Sequence, residues 1–185
     1  MDKRVLANER VKSQIEAALF TLMTEKHFSE ITVSDIIRTA GVARASYYRN
    51  FDSKEEVIEK YMENQRRDVA SLITFSNSVT DIFNEEKLVE ALQHYLEQKD
   101  RLLLLYDNGF GTFLQEDMNR FAELTLGDIP QRSVKRYALY FLAGAMFNTT
   151  IKWLKSGARE SPRTMARAFI KMLSQDFGEL GGLDD

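Results

Sequence analysis

The chain has no cysteine. That excludes disulfides, thiolate metal sites and thiol nucleophiles, and it suits a reducing compartment. Proline is nearly absent, with two residues in 185. With so few breakers, and with charges recurring at helical spacing, an all-α chain is expected. Histidine is as scarce: His27 and His94 are the two, far apart in sequence. There is no glycine-rich phosphate loop and no H-E-x-x-H, so neither catalysis nor a metal or cofactor is expected. Acidic pairs such as Glu55–Glu56 and Glu85–Glu86 fall at helix starts, where they favour the dipole. The longest apolar run, YALYFLAGAMF at 137–147, is too short to span a bilayer and reads as a buried helix. The opening MDKRVLANERV lacks the apolar core of a signal peptide. A soluble cytoplasmic protein with no membrane partner is expected.

Positive net charge is lacking too: the balance is −3. Charge must therefore be read locally. From Arg38 to Lys54 four cations (Arg38, Arg44, Arg49, Lys54) face one anion, Asp52, a local +3. Among the first twelve residues Lys3, Arg4, Arg10 and Lys12 face Asp2 and Glu9, a local +2. A basic end on an acidic body is the footprint that DNA binding needs.

What is present is helical periodicity. Ile15, Ala18, Leu19, Leu22 and Met23 form one stripe of a first helix over 8–26. A second starts at Thr32 with Asp35 as a capping-box partner, and Gly41 stops it. Only Val42 and Ala43 separate that stop from a short helix over 43–50, a helix-turn-helix pattern. A fourth helix starts at Ser53, with Glu56 as its capping partner, and runs to Thr74. FSNSVTD at 75–81 reads as a loop. Helices follow near 85–98, 100–107, 110–126, 131–156 and 161–177, punctuated by Gly109, Gly127, Pro130, Gly157 and Pro162. The tail GELGGLDD reads as frayed. About nine helices result, divided as 1–52, a connecting helix 53–74, and a body 75–185.

On a helical wheel, Arg44, Ala45, Tyr48 and Arg49 share one arc of 43–50, while Tyr47 and Phe51 lie opposite with Val42. The outward set suits a DNA groove. Arginine forks onto guanine, a small apolar group meets a thymine methyl, and a tyrosine hydroxyl bonds phosphate. Ser46 and Thr32 sit near helix N-termini, which favour phosphate. Lys54 opposes the dipole of its helix, so phosphate contact is its expected role. The alternative is a solvated or protein-binding face on a helical interaction module that binds no DNA.

The segment ITVSDIIRTAGVARASYYRNFDSKEEVIEKY resembles the N-terminal signature of the TetR family of transcriptional regulators. The resemblance rests on the joint spacing of Gly41, Val42, Ala43, Arg44, Ala45, Ser46, Tyr47, Tyr48, Arg49, Asn50, Phe51 and Lys54. It implies phosphate contacts from Thr32, Ser46, Tyr48 and Lys54, and base contacts from Arg44, Ala45 and Arg49. Asn50 stands where histidine is frequent, and could donate to phosphate or read adenine. Ala43 lacks a serine-type cap, at a local cost of about 1 kcal/mol. The resemblance also implies a homodimer on a palindromic operator, a small-molecule effector, and a repressor, with an activator as the alternative.

Two apolar stripes run along 131–156. Val134, Tyr137, Ala138, Phe141, Leu142 and Ala145 form one. The other, Tyr140, Ala143, Gly144, Phe147, Ile151 and Leu154, is expected to join Met165 and Phe169 in a dimer interface, with a wholly buried central helix as the alternative. Candidate effector-lining residues are His94, Tyr95, Tyr106, Phe110, Phe113, Phe121, Met146, Asn148 and Trp153, though side chains of this kind more often form ordinary core than a ligand shell.

Overall fold

The structure, a computed structural model, describes residues 3–72, 84–126 and 135–174. The expected 75–81 loop, Gly127, Pro130, Val134, the helix ends at 73–74 and 175–177, and the C-terminal tail lie outside the described residues. Nine α-helical segments are present among those described: α1 Lys3–Glu25, α2 Val33–Ala40, α3 Arg44–Tyr48, α4 Lys54–Leu72, α5 Glu85–Glu97, α6 Lys99–Leu105, α7 Gly111–Leu126, α8 Lys135–Lys155 and α9 Pro162–Ser174. The fold is all-α, and the chain divides into two compact units, Met1–Gln65 and Arg66–Asp185. The division falls inside α4, which contributes to both.

In the first unit the stripe of α1 is the core. Ile15, Ala18, Leu19, Leu22 and Met23 are buried with Ile36 of α2, Tyr47 and Phe51 around α3, and Val57, Ile58, Tyr61 and Met62 of α4. Phe20 meets Tyr61 edge-on, ring centroids 4.8 Å apart. Full burial of each such side chain contributes about 1.5–3 kcal/mol. α1 begins earlier than its stripe, at Lys3, and its first turns leave Val5 and Leu6 exposed.

Short-range chemistry sets the ends of α2. The Thr32 hydroxyl accepts from the Asp35 N–H at 3.1 Å, and the Asp35 carboxylate accepts from the Thr32 N–H at 3.1 Å, a reciprocal box. At the other end Gly41 takes φ +64°, and the Val42 N–H reaches the Ile37 carbonyl. Only glycine adopts this conformation without strain, so the chain turns here and α3 can start three residues later.

The second unit packs α5 against α9 and α7 against α8. α6 passes into α7 through one wide turn, Tyr106–Phe110, with Gly109 at φ +90°. α8 ends as α2 does: Gly157 takes φ +94° and the Ala158 N–H returns to the Trp153 carbonyl at 2.9 Å. Pro162 then occupies the first position of α9, where its missing N–H costs nothing, and Ser161 caps the Thr164 N–H. Glu85 of α5 receives Arg163 and Arg167 of α9 at 2.6 and 3.0 Å. No helix among the described residues is long and apolar enough to cross a membrane.

Candidate nucleic-acid interface

α3 is five residues long and has no side-chain cap. So short a helix has no stability of its own. It is held from beneath: Tyr47 is 0% exposed, and its ring lies 6.0 Å from Phe51 and 5.4 Å from Tyr48. Among the described residues the buried Tyr47 hydroxyl has no hydrogen-bond partner. Burial, joined by the charges of Tyr48, Glu55 and Glu56, pushes it up to about 12.

With Tyr47 inside, the helical period turns Arg44, Ala45, Tyr48 and Arg49 outward, and all four are exposed. Ser46 is half-buried in the same turn. The Arg44 guanidinium donates to the Tyr48 hydroxyl oxygen at 3.2 Å and lies over the same ring, 5.2 Å from its centroid. The result is a small ridge of two cations, one phenol and one methyl, which can meet both bases and phosphates.

Three residues expected to touch DNA are engaged elsewhere. The Lys54 ammonium donates to the carbonyls of Phe28 and Ile31, each at 2.7 Å, and stands 4.4 Å from the centre of the Phe28 ring. Its position at the start of α4 is thus explained by the carbonyls of the 28–31 turn, whose bonds outweigh the unfavourable dipole. The Asn50 amide donates to the Ser46 carbonyl at 2.8 Å, closing the end of α3. The Thr32 hydroxyl donates to Asp35 at 2.8 Å. Each of the three therefore has a bond within the chain as well as the DNA contact expected of it.

Asp35 is a hub that sequence reading saw only as a cap. It accepts from Lys26 at 2.9 Å and Arg38 at 2.7 Å. The Lys26 bond, helped by the Thr32 N–H and hydroxyl, holds its carboxyl well below the usual carboxylate range.

The expected dimer set needs correction. Ala143, Ile151, Leu154 and Phe169 are buried within the second unit, Leu154 at 0% exposure, so they have no surface left for a partner. Gly144, Phe147 and Met165 are half-buried. The exposed apolar face of α8 belongs to the other stripe, with Tyr137 at 56% and Phe141 at 64%, joined by Tyr140. Tyr140 donates to Glu123 of α7 at 2.6 Å.

The candidate effector residues take several local settings. His94 adjoins Tyr95, which packs with Phe121 against Val69 and Ala91. Tyr106 faces Phe147, with Lys155 over the Tyr106 ring and bonded to Asp107 at 2.6 Å. Phe110 meets Phe113. Met146 is half-buried. Asn148 and Trp153 line an open groove of about 410 Å³ with Lys152, Glu160 and Met165, but the Trp153 indole N–H is taken by the Glu160 carbonyl at 3.0 Å.

Sequence reading missed a half-buried charge pair in the second unit. Arg66 of α4 stands 3.1 Å from Asp117 of α7. Burial raises the Asp117 carboxyl in spite of Arg66, and burial followed by the Asp117 charge raises Tyr95. The available signal was Asp117 itself, which lies on the apolar stripe of Phe113, Leu114 and Phe121.

Comparison with known proteins agrees with this arrangement. The pattern described as "Bacterial regulatory proteins, tetR family" matches residues 15–61, and that described as "Transcriptional regulator C-terminal region" matches 83–175. The HTH-type transcriptional regulator YxbF of Bacillus subtilis is 20% identical over 185 residues, covering 94% of this chain and 46% of its own. The dhaKLM operon transcriptional activator DhaS of Lactococcus lactis is 26% identical over 122 residues, covering 64% of this chain and 62% of its own. The chain thus spans about half to two thirds of the length of these relatives. A TetR transcriptional regulator of Streptococcus agalactiae shares the fold, with a TM-score of 0.66 at 23% identity over 91% of this chain and 96% of that one. A helix-turn-helix with an outward basic ridge, two matching family patterns and a shared all-α fold lead to one conclusion: the chain belongs to the TetR family of bacterial transcriptional regulators.

Proposed function

We propose that the protein is a cytoplasmic homodimeric repressor that reads a palindromic operator and releases it on binding a small molecule. The exposure of Arg44, Ala45, Tyr48 and Arg49 above the buried Tyr47 carries the reading. Arg44, Ala45 and Arg49 meet base edges; Tyr48 and Ser46 meet phosphates. A helix this short reads few bases, so a twofold pair is needed for useful specificity. The unburied face of Tyr137, Tyr140 and Phe141 is the surface for the second subunit. A Cβ built on Gly144 would meet no atom of the described residues within 4 Å, so a partner helix could approach closely there.

The effector is held in the second unit, and the half-buried polar group of Tyr95, Asp117 and Arg66 is its anchor. α4, shared by both units, transmits its binding. An effector that binds better when the two α3 helices are wrongly spaced would release DNA.

Gel retardation with DNA selected from random sequence tests the core of this reading. Retardation of a palindrome that is lost in Arg44→Ala/Tyr48→Ala supports it. Retardation that survives that pair of changes refutes the site. Sedimentation of Phe141→Ser should show a single subunit if the proposed face is right. The relative DhaS, an activator by name, favours a second reading in which DNA binding raises transcription. A reporter downstream of the selected operator separates the two signs.

A further inference from the structure

Arg44 is braced in a way its neighbour on the same ridge is not. Its Nη2 bonds the Tyr48 hydroxyl at 3.2 Å and its Cζ lies 5.2 Å from the ring centroid. The two are four residues apart, so one helical turn stacks them. Tyr48 is braced in turn by Tyr47, edge-on at 79°, and Tyr47 by Phe51. A line of rings therefore runs from the hydrophobic interior to an exposed guanidinium. Among the described residues no hydrogen bond or ring contact holds the side chain of Arg49.

We infer that Tyr48 is a positioning residue for base reading, which holds the Arg44 guanidinium in the pose that meets a base edge. This rests on the reading of α3 as the DNA-facing helix. Arginine has five donors, and the bond to Tyr48 uses one, so an outer pair stays free to fork onto a base. The Tyr48 oxygen accepts from Arg44 and keeps its own proton for a phosphate. An unbraced arginine loses rotamer freedom on binding, which costs roughly two- to tenfold in affinity per side chain. The ring and hydroxyl of Tyr48 remove part of that cost before DNA arrives.

A double-mutant cycle on base preference tests the inference, with the wild-type operator and its single-base variants as probes. Arg44→Ala should flatten the preference at one position of each half-site. Tyr48→Leu should weaken the preference at that same position by roughly two- to tenfold. Tyr48→Phe, which keeps the ring, should recover part of it. In the Arg44→Ala background Tyr48→Leu should change no preference. The inference is overturned if Tyr48→Leu weakens every variant equally with and without Arg44, the mark of a phosphate contact alone. It also falls if Arg44→Ala leaves all base preferences intact while binding persists. Failure of the wild-type protein to retard any fragment would sink the DNA-facing reading itself, a separate result. Tyr48 is 44% exposed, so thermal melting should show all variants folded.

Discussion

Replacing Tyr47 by phenylalanine should make the protein more stable. The ring is 0% exposed and is held by Tyr48 and Phe51, contacts that phenylalanine keeps. Its hydroxyl is buried with no hydrogen-bond partner among the described residues. Leaving such a group unpaired costs about 1–3 kcal/mol, and removing it without changing the shape recovers most of that. Tyr47→Phe should therefore gain about 1–2 kcal/mol in urea denaturation of the full chain, as a raised midpoint at unchanged m-value. There is also an alkaline signature. The folded hydroxyl is pushed up to about 12 from an ordinary value of 10.0. In that window the unfolded chain releases a proton that the folded chain retains, so wild-type stability should fall as pH climbs from 10 to 12. The variant should lack that part of the slope. DNA affinity should be unchanged, because the hydroxyl is buried and not part of the exposed ridge. A lowered midpoint, or an identical alkaline slope, would refute the reasoning and show that the hydroxyl has a partner.

The other expectations concern the supports of the ridge. Asp35→Asn should lower stability at neutral pH and flatten its acid branch. The folded carboxyl is depressed, so its stabilisation is present above the ordinary value of 3.8 and fades as pH falls below it. Circular dichroism across pH 2–7 checks this. Gly41→Ala meets no atom within 4 Å, so its cost is purely one of backbone conformation at φ +64°, about 1–2 kcal/mol by denaturant midpoint. Lys54→Met should cost about 1.5–3 kcal/mol without any DNA present, since two short carbonyl bonds are lost; a phosphate contact alone would leave the melting curve unmoved. Leu154→Ala should destabilise by about 2–5 kcal/mol whatever the oligomeric state, as an interior cavity does.

The first unit was readable because its signals are local. Thr32 and Asp35 are three residues apart, Gly41 marks one turn, and the period of α3 alone places Tyr47 inside and Arg44 outside. Ser53 does cap α4, through the Glu56 N–H, but the Glu56 carboxylate reaches the Asp52 N–H at 2.6 Å rather than that of Ser53. The structural role of Lys54 was not legible, because the carbonyls it serves lie 23 and 26 residues away and no pattern announces them. α8 failed for another reason. It is apolar on two sides, and periodicity says that two faces exist without saying which one its own subunit covers. Leu154 and Phe141 look alike in sequence and have opposite fates. The half-buried pair of Arg66 and Asp117 was legible only as an anomaly, a charge on an apolar stripe.

α3 is anchored by Tyr47 and closed by Asn50, while Arg44, Ala45 and Arg49 lie on the solvent side of that anchor. The residues that hold this helix and the residues that would address DNA are thus largely different sets. Such a division leaves the address free to change: substitutions at 44, 45 and 49 could retarget the protein to another operator while its folding is left almost untouched.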